Sequence, residues 1–305
     1  MYRHGMRPLR ALVIYVIVVF LGGALLAPWL WRLAQTAATS FPHIANSPFH
    51  RFVDRALLIL AVAGLWPLLR ALGVTSLRET GLTSPRGQWK KLGGGLLFGC
   101  VIIAIDAGAA MVWGGRTPAP GLTAHKIVGT IFGATGTAVA VAFIEEILFR
   151  GGIFGGLRKT FYWPLALAIS SIIYALVHFL QRADIPGPVA WNSGLVLLLR
   201  MLGGFADFQA LVPSFFSLLL AGILLGLAYQ RTGNLYFSIG LHGGWILCLK
   251  IYGALTADTT RAGAGFWGAG KLIDGWLAFL VLLAALLVFK WLPMAPKHEP
   301  FAITR

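Results

Sequence analysis

Long apolar segments recur along the whole of this 305-residue chain, and they constrain its fold more than any other feature. A helix needs about 20 apolar residues to cross the hydrocarbon core of a bilayer, and the chain offers several segments of that length. Only 11% of the residues are charged and 58% are hydrophobic, so the chain could not form the surface of a soluble domain. The sequence therefore predicts an all-α, polytopic bundle of transmembrane helices.

About eight spanning helices are expected, and a ninth apolar piece, residues 190–204, is short enough to be interfacial or re-entrant. The fourth span can continue as a helix beyond Arg150 toward Arg158. The predicted spans lie near residues 11–31, 52–72, 92–113, 127–157, 162–181, 211–230, 235–252 and 272–292. The chain then divides into N-terminal helices, a central core and a C-terminal helix with its tail, at residues 1–126, 127–250 and 251–305.

The net charge of +15 comes from basic residues scattered at segment ends, not gathered in one stripe. Anionic lipid headgroups explain this pattern better than nucleic acid, which is not an expected partner. We expect a multi-pass protein of the plasma membrane. If residues 190–204 do not span, the basic loops and termini lie on one side of the membrane, and this favours a cytoplasmic location for both ends of the chain. The basic residues near the ends include Arg3, Lys297 and Arg305. Counting that piece as a span would place the basic C-terminal tail outside. The first apolar run lacks a clear cleavage site and is expected to remain in the mature protein.

Small residues and cysteines also lie in the apolar segments. Glycines four apart predict close helix packing, since small side chains let helix backbones approach each other in lipid. These pairs are Gly129/Gly133, Gly151/Gly155, Gly152/Gly156, Gly222/Gly226 and Gly240/Gly244. Cys100 and Cys248 are both in apolar segments, so neither a disulfide framework nor a cysteine metal site is expected.

Two adjacent glutamates, Glu145 and Glu146, stand in the apolar fourth span of a chain that has only ten acidic residues. A carboxylate at the bilayer centre costs at least about 2.5–3.5 kcal/mol, which makes this pair a functional-site hypothesis. Glu146 and Arg150 are four apart and share a helix face, so an ion pair between them is predicted. Glu145 is rotated by about 100° and must find another partner.

His178 and His242 lie in later apolar segments and are the candidate partners of Glu145. Counted along the helices from the turns that join them, Glu145 is ~20 Å deep, His178 ~25 Å and His242 ~12 Å. We expect the three to converge on one buried cavity, with helix tilt absorbing the difference for His242. Such a cluster could activate water for amide hydrolysis, relay protons or ions in a transporter, or bind a metal. Zinc is possible chemically, but no His-Glu-x-x-His spacing is present, so a metal-free site is favoured.

Three short motifs follow one another in the apolar segments and together resemble those of one known family. Residues 143–151 (Phe-Ile-Glu-Glu-Ile-Leu-Phe-Arg-Gly) are similar to a Glu-Glu-x-x-x-Arg motif. Residues 174–178 (Tyr-Ala-Leu-Val-His) are similar to a Phe-x-x-x-His motif, with Tyr in place of Phe. Residues 233–242 (Gly-Asn-Leu-Tyr-Phe-Ser-Ile-Gly-Leu-His) resemble the approach to a third motif. The family that these motifs resemble is the CAAX protease and bacteriocin-processing (CPBP, or Abi) intramembrane proteases.

The resemblance implies a glutamate-dependent endopeptidase whose catalytic core is residues 127–250. It implies that Glu145 and His178 activate water, that Arg150 supports them, and that His242 is the third-motif histidine. No cofactor is implied. The partner would be a membrane-tethered protein or peptide in the bilayer, with prenylated CAAX-type substrates as one candidate class.

The third motif departs from the family pattern, because Ile246 stands where the family has an asparagine four residues after the histidine. That asparagine would help to polarise the substrate carbonyl. The indole N–H of Trp245 or the hydroxyl of Ser238 could replace it. Two other functions stay open: a non-catalytic immunity or scaffold protein of this family, and a proton-coupled transporter.

Overall fold

The computed structural model describes residues 6–113, 115–180, 183–206, 208–258, 264–267, 272 and 275–292. Within these residues nearly all regular structure is helical, which confirms the all-α prediction. The helices are α1 (Met6–Thr36), α2 (Pro42–Ala45), α3 (Phe49–Ala71), α4 (Trp89–Val112), α5 (Ala124–Glu146), α6 (Gly155–Leu157), α7 (Trp163–Val177), α8 (Ser193–Met201), α9 (Phe208–Thr232), α10 (Tyr236–Leu255), α11 (Ala264–Trp267) and α12 (Trp276–Trp291). A π-helical turn, Ile147–Phe154, joins α5 to α6, and a 3₁₀ turn, Leu202–Phe205, follows α8.

Among the described residues, five helices are long and apolar enough to cross a membrane, so the chain is an integral membrane protein. They are Pro8–Thr36, Phe49–Ala71, Trp89–Val112, Ala124–Leu157 and Leu211–Thr232. The three other predicted spans correspond to α7, α10 and α12, which are not among the five, and the number eight stays a prediction. The predicted continuation of the fourth span is confirmed, because the helix runs without a break to Leu157. Of the residues used to orient the chain, Arg3, Lys297 and Arg305 lie outside the described residues.

The chain forms two compact units, one from Met1–Val74 with Val177–Asp207 and the other from Thr75–Leu176 with Phe208–Arg305. The three-part division at residues 126 and 250 stays a prediction.

In the first unit, α8 packs directly on the backbone of α1. A Cβ atom added to Gly194 would lie 1.8 Å from the carbonyl oxygen of Ala24, so only glycine fits there. Tyr15 ties α1 to α3 by donating its hydroxyl to the carbonyl of Ala61 at 2.9 Å. The core between these helices is apolar and consists of Ala27, Phe49, Phe52, Val53, Ala56, Leu197 and Met201.

In the second unit, α4 and α10 approach each other along glycines on both helices. A Cβ added to Gly240 would lie 2.1 Å from the carbonyl oxygen of Leu92, and one added to Gly99 would lie 2.3 Å from that of Leu241. Gly95 and Gly244 make equally close contacts on the same seam. The predicted packing of the Gly240/Gly244 pair is confirmed, and its partner is a second glycine pair on α4.

Two of the other predicted glycine pairs differ in how closely they pack against a neighbouring helix. The Gly222/Gly226 prediction is confirmed: both glycines lie on α9 against α7, where added Cβ atoms would meet Ser171 at 3.0 Å and Leu167 at 2.2 Å. The prediction is wrong for Gly129 and Gly133, where a Cβ would meet no described atom within 4 Å. Their stretch of α5 is open in this unit, because small-residue spacing permits close packing without requiring it.

Local features set the ends of the helices that carry the glutamates and His242. Thr123 caps α5 by accepting the N–H of Lys126 at 3.2 Å, and this satisfies one of the free donors at the helix start. Gly233, at φ +69°, reverses the chain between α9 and α10 in a conformation that favours glycine. The all-α prediction missed one small antiparallel sheet, β1 (Arg116–Pro118) with β2 (Thr256–Asp258), which joins the chain after α4 to the chain after α10.

Candidate active site

The two glutamates are the last residues of α5, directly before the π-helical turn. The side chain of Glu146 is fully buried, whereas that of Glu145 is 26% exposed. Arg150 donates from Nη1 to Oε1 of Glu146 at 2.9 Å, and its own side chain is only 2% exposed. The predicted ion pair on one helix face is therefore confirmed, and it is deeply buried.

Arg150 lies within the π-helical turn, which the sequence reasoning missed. Its guanidinium carbon is 4.5 Å from the ring centroid of Tyr174 and 5.7 Å from that of Phe149, and those rings meet edge to face. Ser170 donates to the carbonyl of Phe149 at 3.2 Å, fixing α7 beside the turn. Short π-helical segments within α-helices are frequent at functional sites, so this irregularity is itself an indication of function.

His242 is directed at Glu146 by the packing of α10. It follows Gly240 by two residues, a rotation of about 200°, so it lies on the helix face opposite the glycine seam with α4. There its Nδ1 lies 2.9 Å from Oε1 of Glu146. One carboxylate oxygen thus binds both Arg150 and His242, a contact that the sequence reasoning missed. A clue was available, since a buried carboxylate can accept more hydrogen bonds than one arginine N–H supplies.

This contact determines which atom of His242 faces Glu145. Arg150 donates to the same oxygen of Glu146, and an ionised carboxylate can only accept, so we assign the hydrogen of the second bond to Nδ1 of His242. The other ring nitrogen, Nε2, lies 3.9 Å from Oε2 of Glu145. That distance is too long for a hydrogen bond, but it lets both atoms reach one oxygen placed between them. Oε2 of Glu145 is shielded from solvent and makes no hydrogen bond to the described residues.

The second motif is divided between the two compact units. Tyr174, its first residue, is buried in the second unit, with its ring centroid 6.1 Å from that of His242. His178 belongs to the first unit, where it is exposed in the turn that follows α7. The structure thus brings Glu145 and His242 together with Glu146 and Arg150, and the convergence of His178 on Glu145 stays a prediction.

The two residues proposed to replace the missing asparagine differ in their hydrogen bonding. Ser238 is buried and its hydroxyl donates to the carbonyl of Leu235 at 3.0 Å. Trp245 is 6% exposed and packs its ring edge to face with His242, at 6.3 Å between centroids. Its indole Nε1 is buried without a hydrogen-bond partner among the described residues. Ile246, the next residue, is half-buried.

The same groups include residue types that can bind a metal. The described part of the chain holds no group of three or more His, Cys, Asp or Glu side chains arranged to bind a metal ion. A metal-free site stays a prediction, to be tested by measuring the metal content.

Comparison with known families places this cluster in a recognised domain. Residues 127–248, which include Glu145, His178 and His242, match the family model described as Type II CAAX prenyl endopeptidase Rce1-like. The resemblance to the CPBP family is confirmed. This match supports a CAAX-type intramembrane protease family for residues 127–248. No curated protein and no solved structure showed significant similarity to it.

Proposed function

We propose that the protein is an intramembrane endopeptidase that hydrolyses a peptide bond in a membrane-tethered substrate, with prenylated CAAX-type proteins as the candidate class. One observation carries the proposal: within the Rce1-like region, Glu146 holds His242 so that its Nε2 lies 3.9 Å from the carboxylate of Glu145. A base and a potential proton donor therefore stand side by side.

Glu145 is the general base of the proposed reaction. It removes a proton from water, the water oxygen forms a bond to the substrate carbonyl carbon, and the proton then passes to the amide nitrogen as the C–N bond breaks. The family resemblance assigns His178 as the partner of Glu145 in activating the water. Glu145 suits this role because, unlike Glu146, it has no bound cation on its own helix.

His242, beside Glu145, polarises the substrate carbonyl in the proposed reaction. Glu145 and Glu146 carry two negative charges and Arg150 one positive charge, so a second proton on His242 makes the cluster neutral. Neutrality is favoured in a buried site, where an unbalanced charge is costly. The doubly protonated ring keeps its Nδ1 bond to Glu146 and presents Nε2–H to a carbonyl oxygen.

The location of the glutamates fits a lipid-anchored substrate. Glu145 lies in the helix Ala124–Leu157, the longest of the five candidate membrane spans. A substrate held in the bilayer by a hydrophobic anchor would reach a site on such a span without leaving the lipid. The basic loops favour a plasma-membrane protein with cytoplasmic termini, and this orientation is part of the proposal.

The test uses purified protein in liposomes and an internally quenched peptide that ends in a farnesylated cysteine followed by three residues. Wild type should cleave it, and Glu145→Gln should lower kcat by about 10²–10⁴-fold, because the amide cannot take a proton from water. Glu79→Gln is the matched control, since Glu79 is exposed and pairs with Lys159. A peptide without the farnesyl group tests whether the lipid is needed.

Two results would count against this function. Equal kcat for wild type and Glu145→Gln would remove Glu145 as the base. Folded wild-type protein that cleaves neither peptide would favour the alternative of a non-catalytic scaffold, in which Ile246 marks the loss of the asparagine.

A further inference from the structure

The indole N–H of Trp245 is a buried donor beside His242 that has no acceptor among the described residues. Most buried polar groups in proteins are hydrogen-bonded, and each exception needs an explanation. Nε1 of Trp245 has no partner among the described residues, while the residue is 6% exposed and in ring contact with His242. The fold thus keeps a donor beside the candidate active site at a cost in stability.

Chemistry restricts what could bind this group. An indole N–H donates and cannot accept, and it carries no charge, so its ligand must offer an acceptor such as a carbonyl oxygen. Trp245 follows His242 by three residues, which places the two on neighbouring positions of one helix face. Ser238, on the preceding turn, has already given its only hydroxyl hydrogen to Leu235.

We infer that Trp245 donates its indole N–H to the substrate carbonyl oxygen, beside Nε2–H of His242, and so takes the place of the motif asparagine. The inference rests on the proposed function and names one more catalytic residue for it. In the transition state the carbonyl oxygen becomes negative, and two fixed donors stabilise it without rearrangement of the site. Ile246 stands where the family has an asparagine, and the donor that is missing there is supplied by Trp245, the preceding residue.

The kinetic test is Trp245→Phe, which keeps an aromatic ring and removes the N–H. We expect kcat for the farnesylated peptide to fall by about 10²–10³-fold, with little change in KM. The melting temperature should change little, because the lost N–H had no hydrogen-bond partner among the described residues. Trp276→Phe is the control, as Trp276 is 40% exposed on α12.

A second measurement detects the hydrogen bond without turnover. In ¹⁵N-tryptophan-labelled Glu145→Gln, which binds the farnesylated peptide without cleaving it, the Trp245 indole proton should shift downfield on peptide addition. The signal is assigned by its loss in the Glu145→Gln/Trp245→Phe protein. An indole signal that does not move at peptide saturation would overturn the inference.

The outcomes separate this inference from the proposed function. Loss of activity in Glu145→Gln together with wild-type kcat in Trp245→Phe would leave the protease intact and overturn the role of Trp245. A fall in kcat accompanied by a marked fall in the melting temperature would show that Trp245 acts only through packing. That result would also overturn the inference. Wild-type protein that cleaves nothing would refute the proposed endopeptidase function. The shift of the indole proton would still show whether the Trp245 N–H binds the peptide.

Discussion

Replacing Glu146 by glutamine should separate two roles that this buried carboxylate combines. The first is to balance the charge of Arg150, whose side chain is 2% exposed and 2.9 Å away. Removing one partner of a buried ion pair leaves the other uncompensated and typically costs about 3–5 kcal/mol. Glu146→Gln should therefore lower the free energy of unfolding by about that amount, measured by chemical denaturation in mixed micelles.

A double variant tests the origin of that loss. Arg150→Met removes the positive charge, and replacing both members of a buried pair by groups without charge is often neutral or stabilising. Glu146→Gln/Arg150→Met should thus recover most of the stability lost in Glu146→Gln. A double variant as unstable as the single one would show that charge balance is not what Glu146 provides.

The second role of Glu146 is to orient His242. The double variant should not restore this role, although it restores stability. The Nδ1 bond to Glu146 is what turns Nε2 of His242 toward Glu145. Loss of the partner that orients a metal-binding histidine typically lowers activity by about 10–100-fold, and we expect a loss of that order when Glu146 no longer orients His242. The double variant should therefore be stable yet slow on the farnesylated peptide. Full recovery of kcat together with stability would refute the orienting role.

Three further predictions concern packing, metal and the third motif. Gly240→Ala should lower the free energy of unfolding by about 1–3 kcal/mol, because its Cβ would lie 2.1 Å from the carbonyl oxygen of Leu92. In the same denaturation assay Gly129→Ala, where an added Cβ meets no described atom within 4 Å, should be neutral or stabilising. Elemental analysis should find no stoichiometric zinc, and chelators should leave peptide cleavage unchanged; one zinc per chain with activity restored by zinc would contradict this. Ile246→Asn should leave kcat unchanged or raise it, since it adds a donor one turn from His242, and a marked fall in kcat would count against that geometry.

Local contacts were predictable in detail from the sequence, whereas for distant ones the sequence predicted that His242 approaches Glu145 but not that it bonds to Glu146. The Glu146–Arg150 pair follows from helical spacing alone, so it could be predicted once the segment was identified as a helix. The Glu146–His242 bond joins residues 96 positions apart and depends on how α5 and α10 are placed. The π-helical turn also escaped prediction, because it arises from a shift in backbone hydrogen bonding that no residue type specifies.

The glycine pattern shows why spacing alone is an incomplete guide. Gly240/Gly244 and Gly129/Gly133 have the same spacing in comparably apolar helices, yet among the described residues only the first pair lies against another helix. The difference lies in the partner, since α4 offers Gly95 and Gly99 to the first pair. Close packing in lipid needs small residues on both surfaces, so a prediction must identify the second surface as well as the first.

The glycine seam also explains how residues without reactive groups define the site. Backbone contacts with α4 fix one face of α10, and His242 projects from the opposite face. Any outward movement of α10 from α4 would push His242 toward α5 and change its 2.9 Å contact with Glu146. The position of His242 therefore depends on the close approach of the α4 and α10 backbones, and this approach leaves no room for a side chain at Gly240. On this argument Gly240→Ala, in molecules that still fold, should reduce activity through the same displacement that reduces stability.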